Sequence, residues 1–173
     1  LGNISITSTQ TFRRGNINLN CERHMKIFKD HNVIPEFCYN CFKILIEPKN
    51  VSDLIKLHIF FDNLYLENDN VRKCMIEMRK NVSGIYKGFI YCESLEEAQK
   101  ILSKIHNNLK FYIDENINVK IKRGCTEYGI KYTEYNNLSK LMQYQADWKS
   151  KENFNDEKYP FLKNNLSNKK TIN

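Results

Sequence analysis

Glycine and proline are scarce in this chain, with six and three residues among 173. A nucleotide-cradling loop needs closely spaced glycines so that the backbone can approach the phosphates, and the sequence contains no such loop. The His-Glu-x-x-His pair of zinc peptidases and the nucleophile elbow of serine hydrolases are missing as well. The sequence therefore favours a non-enzymatic domain over the enzyme classes that carry these motifs.

Long apolar runs are also lacking. The mean hydropathy is −0.61, and no stretch approaches the length that spans a bilayer. The first twenty residues are polar and show no signal-peptide pattern. We therefore expect no membrane span and an intracellular, cytoplasmic location.

The charge balance is basic, with a net charge of +7 and an isoelectric point near 9.0. Such a balance favours acidic partners, either nucleic acid or an anionic membrane surface. The alternative is that the charges are simply solvated, because a basic composition by itself speaks only to solubility and non-specific attraction.

Apolar periodicity and turn residues predict a βαββαβ order in the middle of the chain. Helix starts are indicated at Asn50 or Ser52 and at Ser94, where Glu97 completes a capping-box pattern. The predicted strands cover 42–47, 72–79, 85–92 and 118–123. This order is typical of the ferredoxin-like α+β fold, an antiparallel sheet with two helices on one face.

The segments on either side of this region (42–128) are predicted to be extensions of the domain. Residues 1–19 carry few apolar side chains and are predicted to be a flexible arm. Residues 20–41 are predicted to contain a helix and a zinc knuckle. Apolar spacing in 129–149 predicts a C-terminal helix, and 150–173 is predicted to be a polar tail.

Two short pairs of potential metal ligands lie in the segment 20–41. Cys21-x-x-His24 is followed by Cys38-x-x-Cys41. Thiolates and imidazole suit Zn²⁺, and a four-ligand zinc site is structural because it leaves no open position. The spacing therefore predicts a structural zinc ion bound by Cys21, His24, Cys38 and Cys41, with His31 as a substitute for His24.

Two other interpretations of these residues stay open. In the first, Cys38 is packed and Cys41 faces solvent, while Cys21 and His24 lie on a surface helix with no metal. In the second, Cys38 and Cys41 alone form a redox pair or bind an iron–sulfur cluster. Disulfides are disfavoured, because a chain of this length can be stabilised by packing.

Period-two alternation divides the predicted strands into two faces. The core face would take Ile44, Ile46, Cys74, Ile76, Met78, Gly88, Ile90, Cys92, Val119 and Ile121. The opposite face would take Lys43, Leu45, Met75, Glu77, Arg79, Lys87, Phe89, Tyr91, Lys120 and Lys122. Aromatic rings stack on unpaired bases and cations hold phosphates, so the second face has the composition of a nucleic-acid surface. The alternative is that the C-terminal helix covers these aromatics.

The stretch from Ser83 to Ala98 resembles the third strand and second helix of the RNA-recognition-motif family. Lys87-Gly88-Phe89 matches the opening of that family's longer strand motif, and the Glu-Glu-Ala of the next helix fits as well. The resemblance, which spans roughly 42–123, implies that Phe89 and Tyr91 stack on bases. Leu45 and Ile90 depart from the family pattern.

These observations lead to one main hypothesis and two alternatives. The main hypothesis is a module that binds single-stranded RNA or DNA through Lys43, Arg79, Lys87, Phe89, Tyr91, Lys120 and Lys122. The first alternative is a structural or assembly subunit that uses the same face to bind a second copy or another protein. The second is a small cysteine-dependent redox or metal protein.

Overall fold

The computed structural model describes residues 9–80 and 82–163. The chain divides into two compact units. Unit 1 comprises the described part of Leu1–Gly15 together with Phe42–Lys122, and unit 2 comprises Asn16–Cys41 and the described part of Arg123–Asn173. Each unit therefore combines segments that are far apart in the sequence.

Unit 1 is built on a five-stranded antiparallel sheet and two long helices. Its elements are β1 (Gln10–Arg14), β2 (Phe42–Glu47), α2 (Val51–Asn63), β3 (Arg72–Ile76), β4 (Tyr86–Cys92), α3 (Leu95–Tyr112) and β5 (Asn118–Arg123). The strand order is β1-β3-β4-β2-β5. The predicted α+β class with an antiparallel sheet is confirmed.

Both long helices begin where the sequence places a cap. The Asn50 side chain accepts a hydrogen bond from the Asp53 amide at 2.9 Å, and the Ser94 hydroxyl accepts one from the Glu97 amide at 3.0 Å. The Glu97 carboxylate in turn accepts from the Glu93 amide at 2.7 Å. These bonds satisfy amide groups that a helix start otherwise leaves without partners.

Gly88 allows α2 to approach the centre of the sheet closely. A Cβ atom at this position would lie 2.4 Å from Cδ2 of Leu57 and 3.3 Å from the Phe61 ring. Leu57, Phe61 and Ile90 are fully buried in the same region. The contact fixes the helix-covered face of the sheet as the one that carries Gly88, as the sequence predicted.

Gly88→Ala is expected to destabilise unit 1 by about 1–3 kcal/mol, because the added methyl overpacks a core that has no space for it. Hydrogen exchange of the β4 amides measures this loss directly. Lys100→Ala, at an exposed position of α3, is the control and should leave exchange unchanged. Equal protection in G88A and wild type would show that α2 does not pack here.

The prediction of a flexible arm over residues 1–19 is wrong for Gln10–Arg14. Gln10–Arg14 forms β1 and pairs with β3 in antiparallel register, with Phe12 opposite Cys74. The Phe12 ring lies 6.2 Å from that of Phe61 and stacks on that of His58 at 5.4 Å. Phe12 is the one apolar side chain of this strand, and two polar side chains also contact α2: the Thr11 hydroxyl lies 3.1 Å from His58 Nε2, and Arg14 pairs with Asp62.

Unit 2 is a small helical assembly. Its elements are α1 (Cys21–His31), a 3₁₀ turn (Glu36–Asn40), α4 (Thr126–Lys131), a second 3₁₀ turn (Thr133–Asn136), α5 (Trp148–Lys158) and α6 (Pro160–Lys163). Its core is formed by Ile27, Val33, Ile34, Cys38, Tyr39, Tyr128, Tyr135 and Trp148. The core is rich in tyrosine, and the rings of Tyr128 and Tyr135 meet edge to face at 5.7 Å.

The C-terminal helix predicted within 129–149 is also wrong. Residues 137–147 contain no helix, whereas α5 occupies the region predicted as a polar tail. The buried positions of α5 include Glu152, Asn155 and Asp156. Because its buried side is largely polar, apolar spacing cannot detect this helix. Residues 164–173 of the predicted tail lie outside the described residues.

Candidate functional site

The side of the sheet opposite Gly88 carries the predicted aromatic and basic residues. We call this side the aromatic face. In the pairing of β2 with β4, Lys43 lies opposite Tyr91 and Leu45 lies opposite Phe89. In the pairing of β3 with β4, Lys73 lies opposite Phe89. The predicted division into two faces therefore matches the register of β2, β3 and β4. Met78, predicted for the core face, lies beyond the end of β3 and is 58% exposed.

Phe89 and Tyr91 form the centre of the aromatic face. Their ring centroids are 6.3 Å apart, and both side chains are half-buried. They lie two residues apart on β4, which has a neighbouring strand on each side. A strand in this position holds both rings in fixed places, and each ring keeps part of its surface accessible.

Two lysines on the neighbouring strands lie over these rings. The Lys43 ammonium is 5.0 Å from the Tyr91 centroid and 6.0 Å from that of Phe89. The Lys73 ammonium is 5.2 Å from the Tyr91 centroid. These are cation–π distances. Lys73 was missed by the sequence prediction, although its position in β3 follows from the same alternation.

Three of the four other predicted basic residues form ion pairs at the margin of this face. Lys120 lies 3.4 Å from a Glu47 carboxylate oxygen, and Lys87 lies 3.8 Å from the other one. Lys87 also donates to the Ser83 carbonyl at 2.6 Å. Burial lowers the pKa of Lys87, and the charges of Glu47 and Glu77 oppose that effect.

Arg79 lies beyond the end of β3, where it donates to both oxygens of Glu77 at 2.8 and 2.7 Å. These hydrogen bonds lower the pKa of Glu77. Lys122, on β5, is half-buried. The predicted site residues thus separate into a centre of Phe89, Tyr91 and Lys43, joined by Lys73, and a margin in which carboxylates neutralise several of the cations.

The four predicted zinc ligands all belong to unit 2. His24 is buried in α1, and its ring stacks on Phe37 at 5.0 Å. Cys21 is exposed, Cys41 is half-buried and Cys38 is buried. The Sγ atom of Cys38 lies 3.5 Å from the Tyr128 hydroxyl oxygen. In 9–80 and 82–163, no three His, Cys, Asp or Glu side chains are grouped so that they could hold a metal ion as they stand.

The cysteines form no disulfide within the described parts of the chain. Cys74 and Cys92 are buried in the sheet of unit 1. Burial raises the pKa of the Cys38 thiol well above its ordinary value.

The helices in the described ranges include none that is long and apolar enough to cross a bilayer. The chain matches no protein-family model, no curated protein and no solved structure.

Proposed function

We propose that this chain binds single-stranded nucleic acid on the aromatic face of unit 1. The observation that carries the proposal is the arrangement of Phe89 and Tyr91 side by side on β4, with Lys43 and Lys73 over the rings. Two bases would stack on the two rings, and the Lys73 ammonium would bind the phosphate that connects them. Lys43 is only 7% exposed, so its ammonium would mainly hold the two rings in place.

We further propose that unit 1 is a ferredoxin-like domain of the RNA-recognition-motif type with one added strand. Without β1, the strand order is β3-β4-β2-β5, with α2 between β2 and β3 and α3 between β4 and β5. The succession of these strands and helices along the chain is that of a split βαβ fold, which supports the assignment, and β1 would be an addition at the β3 edge. In domains of this type the strand that corresponds to β4 carries the stacking rings, which supports the roles proposed for Phe89 and Tyr91.

Stacking is favoured here because the rings are already positioned. Base–aromatic stacking contributes about 1–3 kcal/mol per base and tolerates any sequence, since every base has a π face. The two rings are held by strand pairing on both sides of β4, so little conformational entropy is lost on binding. We therefore expect a preference for unpaired strands over duplex.

The lysines should make the binding salt-dependent. Each phosphate contact that is lost lowers the slope of log K against log salt by about 0.7 for a single strand. Lys73→Gln should therefore lower the slope by about 0.7, and the double variant Lys43→Gln/Lys73→Gln should lower it little further, because Lys43 is buried. Fluorescence anisotropy with labelled single-stranded RNA and DNA, titrated at several salt concentrations, measures the slope.

The matched control is Lys100→Gln/Lys110→Gln, which removes two exposed lysines from α3. If this pair lowers the slope as much as the sheet pair does, the attraction is non-specific and the aromatic face has no special role. If the purified chain forms a tight oligomer and retains no affinity for single strands, the assembly-subunit alternative replaces the proposal.

A further inference from the structure

Cys125, which spacing alone does not assign to the zinc site, lies next to the Cys38-x-x-Cys41 pair. The Gly124 amide donates to the Cys41 carbonyl at 2.7 Å. This backbone bond places residue 125 beside Cys41, although 84 positions separate them in the sequence. Gly124 has a φ of +49°, a left-handed conformation that glycine adopts most readily.

Cys38 is connected to Cys125 through Tyr128. The Cys38 Sγ atom lies 3.5 Å from the Tyr128 hydroxyl oxygen, and the Tyr128 amide donates to the Cys125 carbonyl at 3.2 Å. Cys125 also packs against the core cluster of unit 2, to which Cys38 belongs. Three cysteines are thereby brought to one region.

Cys21 approaches the same region from α1. It lies one helical turn before His24, and residues at i and i+3 share a helix face. The His24 ring stacks on Phe37, the neighbour of Cys38. This stacking brings the start of α1 to the 3₁₀ turn Glu36–Asn40, which carries Cys38.

We propose that Cys21, Cys38, Cys41 and Cys125 bind one structural Zn²⁺ ion, with Cys125 in the place that spacing alone gave to His24. Four thiolates are a preferred ligand set for zinc. The sulfurs as they stand do not form a coordination group within the described residues, so binding requires their side chains to turn toward a common ion. Each thiol loses its proton as the metal enters.

The surroundings favour such an ion. A zinc ion with four thiolates carries net negative charge, and burying that charge requires a nearby cation. Tyr39 lies between Cys38 and Cys41 in the sequence, and its carbonyl accepts a hydrogen bond from the buried Arg123 guanidinium at 2.7 Å. The same guanidinium lies over the Tyr135 ring. Cys21 is the first residue of α1, where the helix dipole stabilises a thiolate.

His24 has a different role in this assignment. Its ring is buried and stacks nearly parallel to Phe37, with an interplanar angle of 21°. This packing holds α1 against the first 3₁₀ turn, Glu36–Asn40. The zinc ion would then join three segments of unit 2 (the start of α1, the 3₁₀ turn and the residues before α4), and a closed four-ligand site would be structural. The inference does not depend on nucleic-acid binding by unit 1.

The test is the metal content and cobalt spectrum of the full-length chain and three variants. Wild type purified with zinc should hold about one ion per chain, and cobalt exchange should give the intense thiolate charge-transfer band of a four-sulfur site. Cys125→Ser should lose the ion and the band. His24→Asn and Cys74→Ala, which removes a buried cysteine of the sheet, should both retain them.

Thiol labelling of the wild type keeps the proposal falsifiable if Cys125→Ser does not fold. Zinc should protect Cys21, Cys41 and Cys125 from alkylation, and a chelator should release all three together. The inference is overturned if the wild type binds no zinc, if Cys125 reacts equally with and without zinc, or if His24→Asn loses the ion while Cys125→Ser retains it.

Discussion

Replacing Phe89 and Tyr91 together by alanine is expected to weaken the binding of single-stranded RNA by about 2–6 kcal/mol, since each ring would stack on one base. This is a loss of roughly thirtyfold or more in affinity. The two rings lie 6.3 Å apart on β4 and are half-buried. Their removal deletes the surface on which bases would stack but leaves Lys43 and Lys73 in place.

The chain offers a matched control in Phe111 and Tyr112, a second adjacent phenylalanine and tyrosine at the end of α3. They are 84% and 61% exposed, and their rings are 5.0 Å apart. Phe111→Ala/Tyr112→Ala therefore removes one phenylalanine and one tyrosine that do not belong to the sheet, and it should leave the affinity for single-stranded RNA unchanged. Equal losses in the two double variants would mean that any exposed aromatic pair attracts the strand.

Arg23→Ala is expected to lower the free energy of unfolding of unit 2 by about 3–5 kcal/mol, the usual loss when one partner of a buried ion pair is removed. Arg23 donates to Asp156 at 2.6 and 2.8 Å and to Glu152 at 3.2 Å. The three side chains are only 7%, 9% and 4% exposed. Without the guanidinium, two carboxylates would stay buried beside each other with no cation between them.

Denaturant unfolding followed by tryptophan fluorescence measures this loss, because the only tryptophan, Trp148, is buried in unit 2. Lys26→Ala, which breaks the half-exposed pair with Asp30, should change little. Adding Glu152→Gln and Asp156→Asn to Arg23→Ala should recover part of the stability, since neutral amides are less costly to bury than charges. If the triple variant is no better than Arg23→Ala, the loss comes from packing and not from charge.

The central region of unit 1 could be predicted because its signals are local. Asn50 and Ser94 cap their helices as their sequence positions indicate. Gly88 faces α2 as alternation requires. In a half-buried sheet, period-two patterning and burial select the same register, so the faces of β2 and β4 followed from the sequence.

The parts that were missed depend on contacts between distant segments. β1 has one apolar anchor, Phe12, and becomes a strand because β3 offers an edge to pair with. The helix α5 buries Glu152 and Asp156 because Arg23, more than a hundred residues earlier, neutralises them. Cys125 reaches Cys41 through one backbone bond from Gly124. Single-sequence periodicity contains none of this information.

Ultraviolet crosslinking of the full-length chain to single-stranded RNA, followed by peptide mapping, tests the proposed binding face most directly. A base stacked on an aromatic ring is positioned to couple to it, so we expect the crosslinked nucleotide on the β4 peptide, at Phe89 or Tyr91. Crosslinks that map to Phe111, Tyr112 or unit 2 and leave β4 unmodified would contradict the account.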